Sequence, residues 1–338
     1  MKTKATDIYI SRKRCAFEKL EKDELFFSLM DYRNSLFTSN DPKKIIEFYD
    51  GFENRDELIE WMKERPKGAS YIREVEGDKD IIVVIPTADF NGKYARECRD
   101  NIFKGLHMIF VESGEIPDPY FNGAHNVNIG IKKAMEYNPK WIVFSNDDMY
   151  KIDDVNILIK QLKNLNSKEI ACVFTQPSLY HSVPERISER NLFYYILYFI
   201  TNKDMGRNQL RLYRKFEIKF LMSPLTGRFS KLFKRGYTYL ESQSFAIYSF
   251  NLVKLVDGNV YDDIFISAAE DTDLSLRLSL HPERTAKIDY KIGEYVGSTL
   301  GVGVNRGLRS IAGLSYLNYK WYREIESLIL DPGDSCEI

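Results

Sequence analysis

The sequence predicts an α/β fold: a mostly parallel sheet flanked by helices. Three observations predict it. Ile81 to Pro86 (IIVVIP) is an unbroken apolar run, largely β-branched, the composition of a strand buried on both faces. Apolar runs and amphipathic segments then alternate in a strand–helix rhythm as far as Phe174. Polar residues crowd behind the runs, first Thr87 and Asp89, then Glu112, then Asp147 and Asp148. Ligands of such sheets sit there, beyond the carboxyl ends of the strands.

Taken in order, residues 1–78 read as a helical, polar extension. Leu25, Phe26, Leu29, Leu36 and Phe37 recur at helical spacing. Asn54 and Glu57 have the capping-box spacing, Leu58, Trp61 and Met62 share one face, and Pro66 stops the helix. The texture changes at Gly77-Asp78-Lys79-Asp80, where the first strand begins. A helix over about 92–104 follows, then a strand at Met108 to Val111, a helix over about 123–137 and a strand at Trp141 to Phe144. Val155, Leu158, Ile159 and Leu162 mark a further helix, and Ile170 to Phe174 a further strand. Residues 186–235 carry twelve Lys and Arg against three Asp and Glu, with aromatics and leucines interleaved. The alternation then resumes and runs through Tyr261-Asp262-Asp263 to Glu270-Asp271-Thr272-Asp273 and a leucine-rich helix. The predicted units are 1–78, a domain over 79–300 interrupted at 186–235, and a helical segment over 301–338.

Composition narrows the function. The 338 residues carry 48 Lys and Arg against 49 Asp and Glu, a net charge of −1, so bulk charge does not point to nucleic acid and none is expected as a partner. The four cysteines stand apart with no CxxC pair, which suggests neither zinc nor disulfides and fits a reducing cytoplasm. The first residues lack the apolar core of a secretory signal, and no run reaches the roughly 20 apolar residues of a membrane span. Gly301, Gly303 and Gly307 miss the dinucleotide-binding spacing by one residue, so a loop is the better reading.

Two acidic clusters carry the chemistry. Asn146-Asp147-Asp148 follows a buried strand, and adjacent carboxylates there suit Mg²⁺ or Mn²⁺, which bind one or two carboxylates plus substrate phosphates. The same residues are also good turn formers. Glu270-Asp271-Thr272-Asp273 either caps a helix or holds a general base. Both clusters on one α/β chain favour metal-assisted group transfer.

At this point the sequence resembles family 2 glycosyltransferases with the GT-A fold, a Rossmann-like mostly parallel sheet. IIVVIPTADF, FVES, NGAHNVNIGIKKA, WIVFSNDDM, and YDDIF followed by AAEDTDLSLRL occur in the family's order over roughly residues 80–282. The resemblance implies an inverting, hexosyltransferase-type enzyme that moves a sugar from a nucleotide-sugar to an acceptor hydroxyl with a divalent cation, Mn²⁺ or Mg²⁺. It places Pro86, Thr87 and Asp89 around the nucleotide. Glu112 stands where the family has an Asp contacting base or ribose. Asn122, Asn128 and Gly130 line the donor site. Asp148 is implied as metal ligand, with Asp147 as ribose or metal partner, and Asp271 as catalytic base with Glu270 beside it. Some relatives carry a further metal-binding His after a later strand; the matching stretch here, EYVGSTLG, has none.

The basic segment invites a surface role. Leu192 to Ile200 (LFYYILYFI) precedes Arg207, Arg211, Arg214, Lys215 and Lys219, interleaved with Leu210, Leu212, Phe216, Phe220 and Leu221. That mixture suits an element lying in the headgroup layer of an anionic membrane, useful to an enzyme with a lipid-linked or membrane-presented acceptor. The expected location is cytoplasmic, peripheral on the inner face of the membrane. The competing reading is an inactive GT-A-like protein serving as a membrane-surface or partner-binding module.

Overall fold

The computed structural model describes residues 28–113, 118–175, 203–218, 244–279, 284–295 and 304–330. Three helices come first: α1 (28–37), α2 (Pro42–Asp50) and α3 (Arg55–Glu64). Asp41 caps α2 by accepting from the Lys43 amide, with Pro42 at its first turn. Asn54 caps α3 by accepting from the Glu57 amide at 3.1 Å. The returning Glu57 carboxylate reaches the Glu53 amide at 2.8 Å, one residue before the cap that the motif predicts.

Then follow β1 (Tyr71–Val75), β2 (Asp78–Thr87), α4 (Lys93–Glu97) with a π turn over Cys98–Ile102, and β3 (Leu106–Glu112). Next come α5 (Gly123–Met135), β4 (Trp141–Ser145), β5 (Met149–Lys151), α6 (Val155–Lys163) and β6 (Cys172–Thr175). The remaining described elements are α7 (Lys203–Lys215), β7 (Phe245–Ser249), α8 (Phe250–Leu255), α9 (Glu270–Ser279), β8 (Thr285–Ile288), β9 (Ile292–Glu294) and α10 (Val304–Leu330).

The seven-stranded sheet has the order β1-β3-β2-β4-β7-β6-β8, and β5 pairs with β9 in a separate ribbon. Five strands run one way; β1 at the edge and β7 between β4 and β6 run against them. The predicted α/β class with a mostly parallel sheet holds. The strand β1 corrects the reading of 1–78 as helical throughout. Side chains of β2 alternate between two cores, Ile81, Val83 and Ile85 under α4 and α6, Ile82 and Val84 under α5. This two-sided burial is why the run is continuously apolar.

A third core joins pieces that are far apart in sequence. Phe37, Ile45, Phe48, Tyr49 and Trp61 pack with Leu212, Tyr213 and Phe216 of the α7 region, Leu308, Ile311 and Ala312 of α10, and Phe265, Ile266 and Ala269. The Tyr49 hydroxyl donates to the Leu308 carbonyl at 2.8 Å and accepts from the Ala312 amide at 3.1 Å, the two groups that an α-helix ordinarily joins to each other. The described part of the basic segment, residues 203–218, packs against this core. Leu212 and Phe216 are 0% exposed, Arg211 grips the Asp50 carboxylate at 2.7 Å, and Lys215 Nζ donates to the Tyr49 carbonyl at 3.0 Å. Apolar and basic residues of α7 alternate because one face enters a core and the other caps the end of α2. Residues 186–202 and 219–235 of that segment lie outside the described residues. No helix among the described residues is long and apolar enough to cross a membrane.

Candidate active site

The chain leaves β2 to form β3 on one side and later β4 on the other, so the strand order reverses at β2. A crevice at such a point is where ligands of open α/β sheets bind. β2 and β4 pair in parallel with a constant offset, from Ile81 opposite Trp141 to Val84 opposite Phe144. Carried past the ladder, that register sets Thr87 beside Asp147. The Thr87 hydroxyl donates to Asp147 Oδ2 at 2.7 Å and its oxygen accepts from the Asp89 amide at 3.3 Å. Asp89 is exposed, its Oδ1 accepting from the Asn91 amide at 2.9 Å. Pro86 lies opposite Val111, and Thr87 opposite Glu112. Glu112 accepts from the Phe90 amide at 3.1 Å and pairs with Arg73 at 3.2 Å, tying the β2 loop to β3 and β1.

Burial pushes the Asp147 carboxyl up to about 6; the Thr87 hydroxyl draws it down and the Asp148 charge pushes it up. Asp148 is 5% exposed, and its carbonyl accepts from the Tyr295 amide at 2.8 Å. The Cys98 thiol donates to the Asp147 carbonyl at 3.3 Å. Burial, with the charges of Asp147, Glu97 and Asp148, pushes that thiol well up, so it stays a neutral donor rather than a nucleophile. Glu294 is the neighbour that sequence reasoning missed. Its Oε1 accepts from Ser244 Oγ at 2.7 Å and Asn146 Nδ2 at 3.4 Å, and it opens the very stretch in which a histidine was sought. Among the described residues, no three or more His, Cys, Asp or Glu side chains converge as a ready cation cage.

The second acidic cluster is built by another route. α9 carries the second cluster in its first turn, and the strand that follows it, β8, runs with β4. The approach is strained: Ser267 and Ala269 have φ of +64° and +76°. This loop rests on bare helix backbone, since a Cβ at Gly313 of α10 would lie 2.1 Å from the Ala268 carbonyl oxygen. Glu270 Oε2 is buried with no hydrogen-bond partner, and burial, then the Asp271 charge, push its carboxyl up to about 7. Asp271 Oδ1 accepts from the Thr272 amide at 2.7 Å. Asp273, fully buried, takes Arg277 at 3.0 Å, Lys320 at 2.8 Å and the Trp321 indole at 2.7 Å, and so anchors α9 to α10.

The α5 residues connect the two halves. Asn122 caps α5 through the His125 amide, while its Nδ2 donates to the carbonyls of Asp263 at 2.9 Å and Phe265 at 3.2 Å. Asn128 clamps both backbone groups of Tyr261, at 2.7 and 3.1 Å. A Cβ at Gly130 would come within 2.4 Å of Val84, so glycine lets α5 lie close on the sheet. In the structure these three residues position elements: the two asparagines hold the loop that leads to Glu270. The N-terminal helices grip the entry to α5, with Asn34 and Arg65 both donating to the Pro119 carbonyl, at 2.6 and 3.0 Å. An open pocket of about 300 Å³ beside this loop is lined by Asn128, Tyr261, Asp262, Asp263, Arg277 and Lys320. Its Lys320 and Arg277 charges are already paired, to Asp262 and Asp273 respectively, so we do not place chemistry there.

No protein-family model, curated protein or solved structure matches the chain.

Proposed function

We propose that the protein is a GT-A-like, inverting glycosyltransferase that moves a sugar from a nucleotide-sugar to an acceptor hydroxyl. The observation that carries this reading is the meeting of Thr87 and Asp147, with Asp148 adjacent, at the switch point of the sheet; on this reading Glu270 and Asp271, at the start of α9, serve the acceptor side of the same crevice. Adjacent carboxylates fit Mg²⁺ or Mn²⁺, which complete their shells with water and phosphate oxygens. Asp148 and Asp147 would hold the cation, and when bound it supplies positive charge to a departing diphosphate.

The chain's own residues do the rest. Thr87 fixes the Asp147 carboxylate, and the Asp89 loop, stapled by Glu112, borders the nucleotide. Asp271 takes the proton of the attacking hydroxyl. Glu270, largely protonated below about pH 7, offers a donor beside it and avoids a second full negative charge. No lipid role is proposed for α7, whose apolar residues are spent on the helical core.

The test is a thermal-shift screen of UDP-, GDP- and dTDP-sugars with and without Mn²⁺, followed by detection of transfer. A metal-dependent shift with turnover supports the reading. Binding without hydrolysis or transfer returns the chain to a binding module.

A further inference from the structure

Beside Asp148 lies a group of side chains that the catalytic reading does not use. Tyr295 follows β9 and stands 46% exposed, with its amide bonded to the Asp148 carbonyl at 2.8 Å. Its ring centroid is 5.0 Å from that of Tyr150 on β5 and 6.0 Å from that of Tyr94 on α4. Tyr150 and Gly293 are partners across the β5–β9 ribbon, and a Cβ at Gly293 would lie 2.0 Å from the Tyr150 ring. The missing side chain at position 293 therefore makes room for the ring to lie on the ribbon. None of the three hydroxyls has a hydrogen-bond partner among the described residues.

We propose that Tyr94, Tyr150 and Tyr295 form a platform for a pyranose ring of a glycan acceptor. This rests on the glycosyltransferase reading for the word acceptor, though not for the binding of sugar. Three rigid rings with hydroxyls at their tips offer apolar faces and a polar rim, and a pyranose offers the same pair of features, C–H faces edged by hydroxyls. The Tyr295 ring meets those of Tyr150 and Tyr94 at 53° and 42°, so it forms a parallel slot with neither. A flat nucleobase would need a parallel face or slot; a puckered sugar fits a cup. Exposure at the rim selects the acceptor over the donor sugar, because a reacting donor is better shielded from water and an acceptor glycan must extend into solvent.

The experiment is saturation-transfer NMR on the full chain with cellohexaose, maltohexaose, chitohexaose and xylohexaose as probes, with UMP and GMP as nucleotide controls. Saturation of pyranose C–H protons of at least one oligosaccharide is expected, weakened about tenfold in affinity by Tyr295→Ala and less by Tyr295→Phe. Nucleotide saturation should be the same in both variants. Because Tyr295 lies at the surface, its variants keep the core intact. Saturation of none of the four oligosaccharides, or equal saturation in Tyr295→Ala, overturns the proposal; so does loss of nucleotide signal in that variant. A protein that binds the oligosaccharide through Tyr295 yet shows no response to nucleotide-sugars loses the transferase reading and keeps the platform.

Discussion

Asp147-Asp148 and Glu270-Asp271 are both acidic pairs at the end or start of an element, but they are built by different means. The first pair stands at the end of a strand whose register with β2 already dictates that Thr87 meets Asp147. The second opens a helix after two residues of positive φ, on a loop held by Asn122, Asn128 and the bare backbone at Gly313. One is a product of local ladder geometry. The other depends on residues more than a hundred positions away on α5 and some forty positions on, along α10. The lesson is that equal chemistry can have unequal mechanical support, and that mutations should expose the difference.

The largest effect expected is on chemistry. Asp271→Asn should lower transfer by about 10²–10⁴-fold while leaving the nucleotide-sugar thermal shift intact. Asp148→Ala should instead abolish the Mn²⁺-dependent part of that shift. If both variants lost donor binding equally, the two pairs would not be separate functional halves.

Next in size is Gly313→Ala. The added methyl must displace the Ala268 carbonyl or α10, at a cost of about 1–3 kcal/mol in urea unfolding. Transfer should fall in the variant even at temperatures where it stays folded, with donor affinity unchanged. An unaltered rate would mean that the loop does not depend on α10.

A pH titration of stability sharpens the contrast. Glu270 is raised from its ordinary value near 4.5 to about 7, so the folded state keeps a proton that the unfolded chain has released between those values. Stability should be full below about pH 4.5 as far as this group is concerned and decline as pH rises toward 7. Glu270→Gln should remove that decline, read as the pH dependence of the urea midpoint.

Smaller still is Thr87→Val. Loss of the hydroxyl removes an influence that lowers the Asp147 value, so Mn²⁺ binding should require a higher pH and weaken by about 1 kcal/mol near pH 6. Arg211→Ala should cost least, about 0.2–1 kcal/mol, because its ion pair with Asp50 is at the surface. Wild-type adhesion to anionic vesicles after that change is consistent with α7 serving the core; strong loss of adhesion would reopen a lipid role for it.

The same division explains what could be read in the sequence. The β2, β3 and β4 strands and the acids behind them were legible because a buried parallel strand announces itself as an apolar run and its end is fixed by composition. The antiparallel course of β7 was not, since FAIYS reads alike in either direction. Nor was the role of Asn122 or Asn128, whose partners are backbone groups more than 130 positions on. The alternation of leucines and cations in α7 was legible as an amphipathic helix but silent about its partner. A membrane and a protein core ask for the same apolar stripe.

One oxygen atom deserves a last consequence. The Tyr49 hydroxyl occupies the interval between Leu308 and Ala312, one turn before the glycine on which the Ala268 carbonyl rests. It ties α2 to that turn of α10. Removing it, as Tyr49→Phe would, takes a hydrogen-bond partner from each of the two backbone groups and frees α10 to shift against α2. A shift of this 27-residue helix would move the seat of the loop before Glu270. The seating of a distant helix would then become a quantity that evolution can adjust, one atom at a time.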